Sequence, residues 1–449
     1  MQKKLFERYH IPTGVKRYFA NTSWIMIEKI LRMFIQLFVG IYVLRYLGPK
    51  QFGILTYAYS FVAIFSAFTN LGLESIVMRN LVIDKDNAYK ILGTSFYLKS
   101  IGVAFSFLSV YVALKFTSND PYTKTIVMIV TCWLLFDPLS VIDYYFRSQV
   151  QARLSSIAQM SMYTLSSAIR IIFILIKAPL ICFAWMIVGE TFIFTMVLIF
   201  LYVKQRLPIL KWSLDIRMAL DLLKDSWPLF FSSMVIIIYM RIDQIMIKEM
   251  LDSESVGIYG ASVRFSEAWY FIPIALHHSL LPAVVNAKNI SEDLYYKRIQ
   301  ALFDLSVWCA IIIAIPTIIF ADLFIPILLG NAFQPAVSVL NIQIWASVFI
   351  FLGVSIGQWF VVENLQKFHL YRALSGAVVN VLLNLFLIPS MGIKGAAIAT
   401  VISQFIASYA SLFVFKNTRH IFWIASKSFN IFLSFKRIIL FFNENKFTV

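Results

Sequence analysis

The sequence predicts an all-α polytopic membrane protein with twelve transmembrane helices in two six-helix lobes. Three observations carry that expectation. Of the 449 residues, 60% are hydrophobic and only 14% charged, where a soluble chain carries about 25% charged residues. Apolar runs long enough to cross about 30 Å of hydrocarbon recur twelve times with short connections. Lys and Arg are dense in alternate connections and sparse in the others, the signature of a chain threaded back and forth through a bilayer.

Taken in order, the first 20 residues are polar and basic (Lys3, Lys4, Arg8, Lys16, Arg17). The apolar run after them is too long for a cleavable signal, so it is expected to stay as the first span. Runs fall near 23–47, 51–74, 91–114, 125–146, 154–176, 180–203, 226–247, 256–285, 300–321, 336–361, 369–389 and 395–415. No connection is long enough to hold a folded soluble domain. With the N-terminus placed inside, the inside segments hold 26 of the 39 Lys and Arg residues and the outside segments hold 6. Arg372, at the start of the eleventh run, is counted here with the inside segment before it. The other seven, Lys29, Arg32, Arg45, Lys99, Arg170, Arg241 and Arg264, lie within runs. This asymmetry predicts cytoplasmic N- and C-termini. The net charge of +16 is then mostly a topology signal that favours anionic lipid head groups, and it does not imply a nucleic-acid partner.

Weak internal repeats divide the chain. Ser23-Trp24 returns as Ser226-Trp227, and Phe52-Gly53-Ile54 as Val256-Gly257-Ile258. The expected organisation is an N-terminal lobe at 1–203, a basic cytoplasmic linker at 204–225, a C-terminal lobe at 226–416 and a cytoplasmic tail at 417–449. Such repeats place a substrate path between two lobes near the midplane. The tail mixes Trp423, Phe429, Phe432 and Phe435 with Lys427, Lys436 and Arg437, a composition that reads as one interfacial amphipathic helix.

The most informative residues are charges inside apolar runs, where each costs roughly 2.5–3.5 kcal/mol at the bilayer centre unless a partner or a watery cavity receives it. Arg32 is nine residues into the first run, about 14 Å deep. Glu28 lies four residues before it on the same face, the better order for pairing, and Lys29 is turned away by about 100°. Arg241 and Asp243 precede the turn between the seventh and eighth runs, and Arg264 and Glu267 follow it. A tight hairpin would bring all four to one depth. Two readings follow. Glu28, Arg32, Arg241, Asp243, Arg264 and Glu267 either lock helices together as ion pairs or form a site in which arginines bind an anion bidentately and acids orient them. The acids nearly balance the bases, so the interior is a mixed network.

Asp137 and Glu190 lie mid-run with no basic residue beside them in sequence. A buried carboxyl without a partner holds a proton readily, which makes both candidates for ion coupling; hydrogen bonding to a neighbouring helix is the other reading. Arg170 sits near the outer end of its run, within snorkelling reach of the interface. Gly353 and Gly357 form a small-xxx-small pair, and Asn380 and Asn384, four apart, read as interhelical glue. Pro228, Pro273 and Pro316 permit kinks. His277 and His278 read as interfacial and lack the further ligands a metal would need. Cys132, Cys182 and Cys309 lie far apart in apolar runs and make no disulfide framework. No nucleotide loop, metal cluster or nucleophile motif is present, so neither an enzyme nor a cofactor is expected.

Three blocks carry a family resemblance. The opening Asn21-Thr-Ser-Trp-Ile-Met-Ile-Glu-Lys-Ile-Leu-Arg32 with Arg45-Tyr-Leu-Gly-Pro-Lys-Gln-Phe-Gly53 resembles bacterial polysaccharide-unit flippases of the Wzx type. So do Tyr239-Met-Arg-Ile-Asp-Gln-Ile-Met246 with Gly257-Ile-Tyr-Gly-Ala-Ser-Val-Arg-Phe-Ser-Glu267, and Asn384-Leu-Phe-Leu-Ile-Pro-Ser-Met-Gly-Ile-Lys-Gly-Ala-Ala397. The third block is shared across the superfamily that includes multidrug exporters. The resemblance implies two six-helix lobes in a V. It also implies a bacterial inner-membrane flippase that moves undecaprenyl-pyrophosphate-linked oligosaccharide units of O-antigen or a related polysaccharide to the outer leaflet, driven by an ion gradient. Implied partners are that lipid-linked oligosaccharide, membrane lipid, and the polymerase and chain-length proteins of the pathway. Glu28, Arg32, Arg241, Asp243, Arg264 and Glu267 fall on charged positions of the motifs. One rival is a multidrug/ion antiporter of the same fold, which would favour an acid-dominated cavity. The other is a membrane polysaccharide polymerase, which would need a large outside loop where the longest outside segments here are about a dozen residues.

Overall fold

The computed structural model describes residues 13–363, 365 and 367–444, and every regular element among them is helical. Helix α1 (Thr13–Phe65) holds the first two expected runs. It is broken at Gly48, where φ is 67° and ψ 174°, one residue before Pro49. A positive φ suits glycine, and the proline ring cannot accept the preceding helical turn, so the helix is interrupted between the two expected runs. After a short turn at Ala67–Asn70 come α2 (Leu73–Ile83) and α3 (Ala88–Lys115). Helix α4 (Pro121–Thr131) opens on an Asp120 cap that accepts from the Thr123 amide at 3.0 Å, with proline in the first turn, the position where its missing N–H is harmless. It continues through a 3₁₀ stretch, Cys132–Ser140, into α5 (Val141–Ser148). Helices α6 (Ala152–Leu175) and α7 (Leu180–Lys204) complete the first half.

The second half begins with α8 (Ile216–Met250). It turns tightly through Asp252, which caps α9 (Ser253–Glu267), and the chain breaks at residues 268–270 before α10 (Phe271–Ile290). Then follow α11 (Glu292–Leu329), α12 (Pro335–Gln343), α13 (Ala346–Val362), α14 (Lys367–Met391) and α15 (Ile393–Phe405). A π-turn at Ile406–Ala410 leads to α16 (Ser411–Val414). The tail forms two helices rather than the single one expected, α17 (Arg419–Lys427) and α18 (Ile431–Glu444), because Ser428 to Asn430 turn back to meet α11.

Ten helical stretches among the described residues are long and apolar enough to cross a membrane. Two of the expected runs share the kinked α1, and the eighth is divided between α9 and α10. Large apolar side chains such as Ile101, Phe116, Leu175, Ile319 and Phe386 face outward, as lipid-facing positions do.

Contacts divide the described chain into two units, residues up to Val43 with Phe61–Ser233, and Leu44–Ser60 with Met234 onward. The first is built on a core that includes Leu92, Val141, Phe146 and Tyr202. The 204–225 segment folds onto it: Trp212 donates to the Tyr202 hydroxyl at 3.3 Å, the Asp215 amide donates to Thr94 at 3.0 Å, and Leu222 is buried in the core. The second unit is built on Phe303, Val307, Phe351 and Phe360. It takes in residues 44–60 because Gly53 and Gly257 allow their helices to meet backbone to backbone.

Candidate functional site

In the second unit the α8–α9 hairpin, α14 and α15 converge on one buried carboxylate, Asp243, only 6% exposed. The Tyr259 hydroxyl donates to its Oδ2 at 2.7 Å, Thr400 donates to the same oxygen at 2.5 Å, and Asn384 Nδ2 donates to Oδ1 at 2.6 Å. Asn384 Nδ2 also lies 3.1 Å from Asn380 Oδ1, as their spacing of four on one helix face requires. Among the described residues no base lies within 4 Å of Asp243. A buried carboxylate is therefore held only by neutral donors, the arrangement that leaves its charge to be balanced by something smaller than a side chain.

A cavity of about 20 Å³ adjoins it, lined in part by Asp243, Gln244, Glu267, Gln343 and Thr400. That volume suits one water or small ion. Two buried acceptors, Gln343 Oε1 and Asn384 Oδ1, find no hydrogen-bond partner among the described residues. Orphaned acceptors beside carboxylates favour a cation or a proton-bearing group. The break after α9 leaves its C-terminal carbonyls near Glu267, an irregularity tolerated where backbone lines a cavity.

The hairpin separates the four expected charges by face. Arg241 is two residues from Asp243, about 200° around the helix, and stacks over the Tyr59 ring at 5.6 Å. Glu267, half-buried, lies within electrostatic reach of Arg241 and Arg264. Arg241, Arg264 and Glu267 thus form one mixed group, and Asp243 belongs to a second, neutral-donor group; both acids line the same cavity.

In the first unit Arg32 is exposed. Its Nη1 lies 3.5 Å from the Tyr163 hydroxyl, and the guanidinium sits 5.8 Å from that ring's centre. Glu28 is buried, and it and Glu190 act electrostatically on the same tyrosine. Tyr163 on α6 therefore gathers Glu28, Arg32 and Glu190. The two acids without a base nearby in sequence both have one in space, which corrects that premise. Glu190 pairs with Arg170 at 2.9 Å, so Arg170 is an interior partner and not a snorkelling one. Asp137 pairs at 2.9 Å with Lys99, which is wholly buried and also donates to Ser140 at 2.9 Å and Tyr144 at 3.2 Å. The partners come from other spans, which adjacency in sequence cannot reveal.

Arg372, counted above with a loop, is buried within α14. Its Nε donates to the Ala407 carbonyl at 2.7 Å in the π-turn, and its guanidinium lies 5.3 Å from the Phe360 ring centre. Gly353 and Gly357 make room for Arg372, Ser408 and His369. The three cysteines are free. No three His, Cys, Asp or Glu side chains converge as metal ligands among the described residues. The side chains of Lys29, His277 and His278 lie outside the described residues. Tyr163, Tyr259 and Thr400 were missed from sequence; Asn380 and Asn384 carried a signal, two amides one turn apart in an apolar run.

A helical chain with ten stretches long and apolar enough to cross a bilayer among its described residues, and charged groups buried within them, is a multi-pass integral membrane protein. It belongs to the polysaccharide biosynthesis protein family, whose model matches residues 18–287. A second family model, MatE, matches residues 228–386. An uncharacterized membrane protein of Methanocaldococcus jannaschii is 28% identical over 189 residues, a match that spans 41% of this chain and 43% of that one. In structure the chain is similar to the lipid II flippase MurJ in an inward closed conformation, with a TM-score of 0.66, 15% identity, and coverage of 94% of this chain and 96% of that one. It is equally similar to a multidrug resistance MATE family transporter of the MOP superfamily in an inward-facing conformation, with a TM-score of 0.65, 13% identity, and coverage of 89% and 96%. At these identities the likeness is one of fold, shared with a lipid II flippase and a multidrug transporter.

Proposed function

We propose that the protein is a flippase that carries undecaprenyl-pyrophosphate-linked oligosaccharide units from the cytoplasmic to the outer leaflet of a bacterial inner membrane, with both termini cytoplasmic. The observation that carries the substrate reading is Arg32, a guanidinium deep in an apolar helix that is exposed, steadied by Tyr163, and without a carboxylate within 4 Å among the described residues. Such a group suits a pyrophosphate, whose oxygens accept bidentately. Arg241 and Arg264, oriented by Glu267, are the matching candidates in the second unit. Membership of a polysaccharide biosynthesis family supports the same substrate class.

In this reading the driving ion binds at Asp243. Its neutral donors, the one-ion cavity and the orphaned acceptors beside it favour a monovalent cation or a proton. Asp137 and Glu190 are weaker candidates for coupling, since Lys99 and Arg170 already balance them.

Deletion of the gene followed by analysis of lipid-linked intermediates tests the reading. A single lipid-linked unit that accumulates on the cytoplasmic leaflet supports a flippase. Units that reach the outer leaflet unpolymerised would identify a polymerase instead. Unchanged intermediates together with raised sensitivity to cationic drugs would identify a multidrug antiporter.

A further inference from the structure

Helix α18 is amphipathic in the reverse sense to a helix on a soluble protein. At about 100° per residue, Ser434, Arg437 and Ile438 occupy one arc and Phe432, Leu433, Phe435, Ile439 and Leu440 the opposite one. The polar arc faces the protein. Arg437 Nε donates to Asp304 Oδ2 at 2.6 Å and its Nη2 to Oδ1 at 3.0 Å. Ser434 donates to the same carboxylate at 3.2 Å. Gln300 donates to Asp304 at 2.8 Å and to Ser428 at 2.9 Å. Asp304 is fully buried on α11. The apolar arc faces outward, with Phe432 85% and Ile439 59% exposed.

A helix that buries its ion pair and displays its aromatic and aliphatic side chains is arranged for an apolar surrounding. What lies beside it names that surrounding. Helix α11 has an outward apolar face at Ile312, Ile315, Ile319 and Leu323, the lipid-facing side of a membrane span. Asp304 stands eight residues before Ile312, about 12 Å along the axis. Trp308 bridges the two helices: its indole nitrogen donates to the Ser428 carbonyl at 3.0 Å, and its ring lies 5.4 Å from Phe435. The apolar face of α18 therefore continues the lipid-facing surface of α11 at one end of that span. Lys436 is exposed in the middle of the outward arc, and its long stem lets the ammonium reach phosphate head groups while the helix stays among acyl chains.

We propose that α18 is seated in bulk phospholipid at the boundary of head groups and acyl chains, apolar arc toward lipid, and that the Arg437–Asp304 pair clamps it to α11. The tail is then an embedded part of the membrane surface of the second unit and not a cytoplasmic appendage.

The test is collision accessibility of nitroxide labels on the full chain in phospholipid vesicles, in a background with Cys132, Cys182 and Cys309 replaced by Ala. Labels are placed singly at 432, 433, 435, 439 and 440, with 293, an exposed charged position, as the aqueous reference. The proposal expects oxygen collision at 432 and 439 several-fold above the reference and nickel-chelate collision several-fold below it. Nickel collision equal to the reference would place the face in water and overturn the proposal. Low collision with both reagents would place it against protein, such as a second copy, and also overturn it. In Arg437→Gln, which keeps a neutral donor, the contrast at 439 should weaken; an unchanged contrast would remove the clamp from the proposal.

Discussion

Gly53 and Gly257, the two glycines of the internal repeat, lie backbone against backbone within one unit: a Cβ on Gly53 would fall 2.8 Å from the Gly257 nitrogen, and one on Gly257 would fall 3.0 Å from the Gly53 nitrogen. Each would also strike a carbonyl oxygen, of Ser253 and Pro49 respectively. The repeat is thus a crossing point where only hydrogen fits. Gly53→Ala and Gly257→Ala should each destabilise by about 3 kcal/mol, since backbone cannot rotate aside. At Gly260 the obstacle is a Thr56 methyl at 3.0 Å, so Gly260→Ala should cost about 1 kcal/mol. Melting temperatures of the detergent-solubilised variants rank the three; equal losses would contradict the argument.

Asp243→Asn preserves shape and removes charge. If a cation sits beside Asp243, the wild type should be stabilised by that cation by about 2.7 kcal/mol at a hundred times its dissociation constant, and the variant should lose this response. The comparison is thermal unfolding in sodium, potassium or choline chloride at matched ionic strength, and at two pH values to separate a metal cation from a proton. A wild type indifferent to all of these would remove Asp243 from coupling.

Arg32→Ala and Arg241→Ala should each reduce translocation roughly ten- to a hundredfold, the span of one or two charge-assisted hydrogen bonds. Arg32→Lys should recover little, because a point charge does not reproduce the guanidinium fork. Surface polysaccharide measured at matched protein levels checks this. Wild-type amounts from both alanine variants would exclude these arginines from substrate binding.

Lys99 and Asp137 are a buried pair. Lys99→Met alone strands a carboxylate and should destabilise by about 3–5 kcal/mol. Lys99→Met with Asp137→Leu removes both charges and should recover most of that loss. Transport by the double variant would assign the pair to structure; a stable but inactive double variant would assign it to mechanism.

Glu363 lies in the connection after α13. Burial alone would raise its carboxyl, but donors Lys288 at 2.8 Å and Tyr295 at 2.6 Å hold it below the ordinary carboxylate range. A depressed acid contributes stability that is present above its unfolded value and lost as pH falls through the folded one. Acidification below about pH 4 should therefore narrow the difference in melting temperature between wild type and Glu363→Gln. A difference that grows on acidification would reverse the assignment.

The legibility of the sequence tracked the range of the interaction. Apolar runs and the basic bias of connections are local properties, and helices stand over the expected runs, the first two sharing the kinked α1 and the eighth divided between α9 and α10. Arg372 was misplaced by three residues of boundary, since a lone arginine near a run's edge is as compatible with a loop as with a buried place in α14 facing the π-turn. Asp137 and Glu190 looked alone because Lys99 and Arg170 lie on other spans. Asp243 was grouped by sequence with Arg241, Arg264 and Glu267, yet two residues on a helix point to nearly opposite sides, and Tyr259, Asn384 and Thr400 reach Asp243 instead.

By itself the sequence determined the membrane-spanning class and the all-helical architecture, because hydrocarbon thickness and helix rise set how long an apolar run must be to cross. Only the tertiary structure decided which charges meet. That depends on how neighbouring helices are rotated, and rotation is set by contacts such as Gly53 against Gly257 that join residues about two hundred positions apart. The same distinction separates the tail's composition, basic and aromatic in any reading, from its orientation, which Asp304 decides by drawing Arg437 inward and leaving Phe432 and Ile439 to face outward.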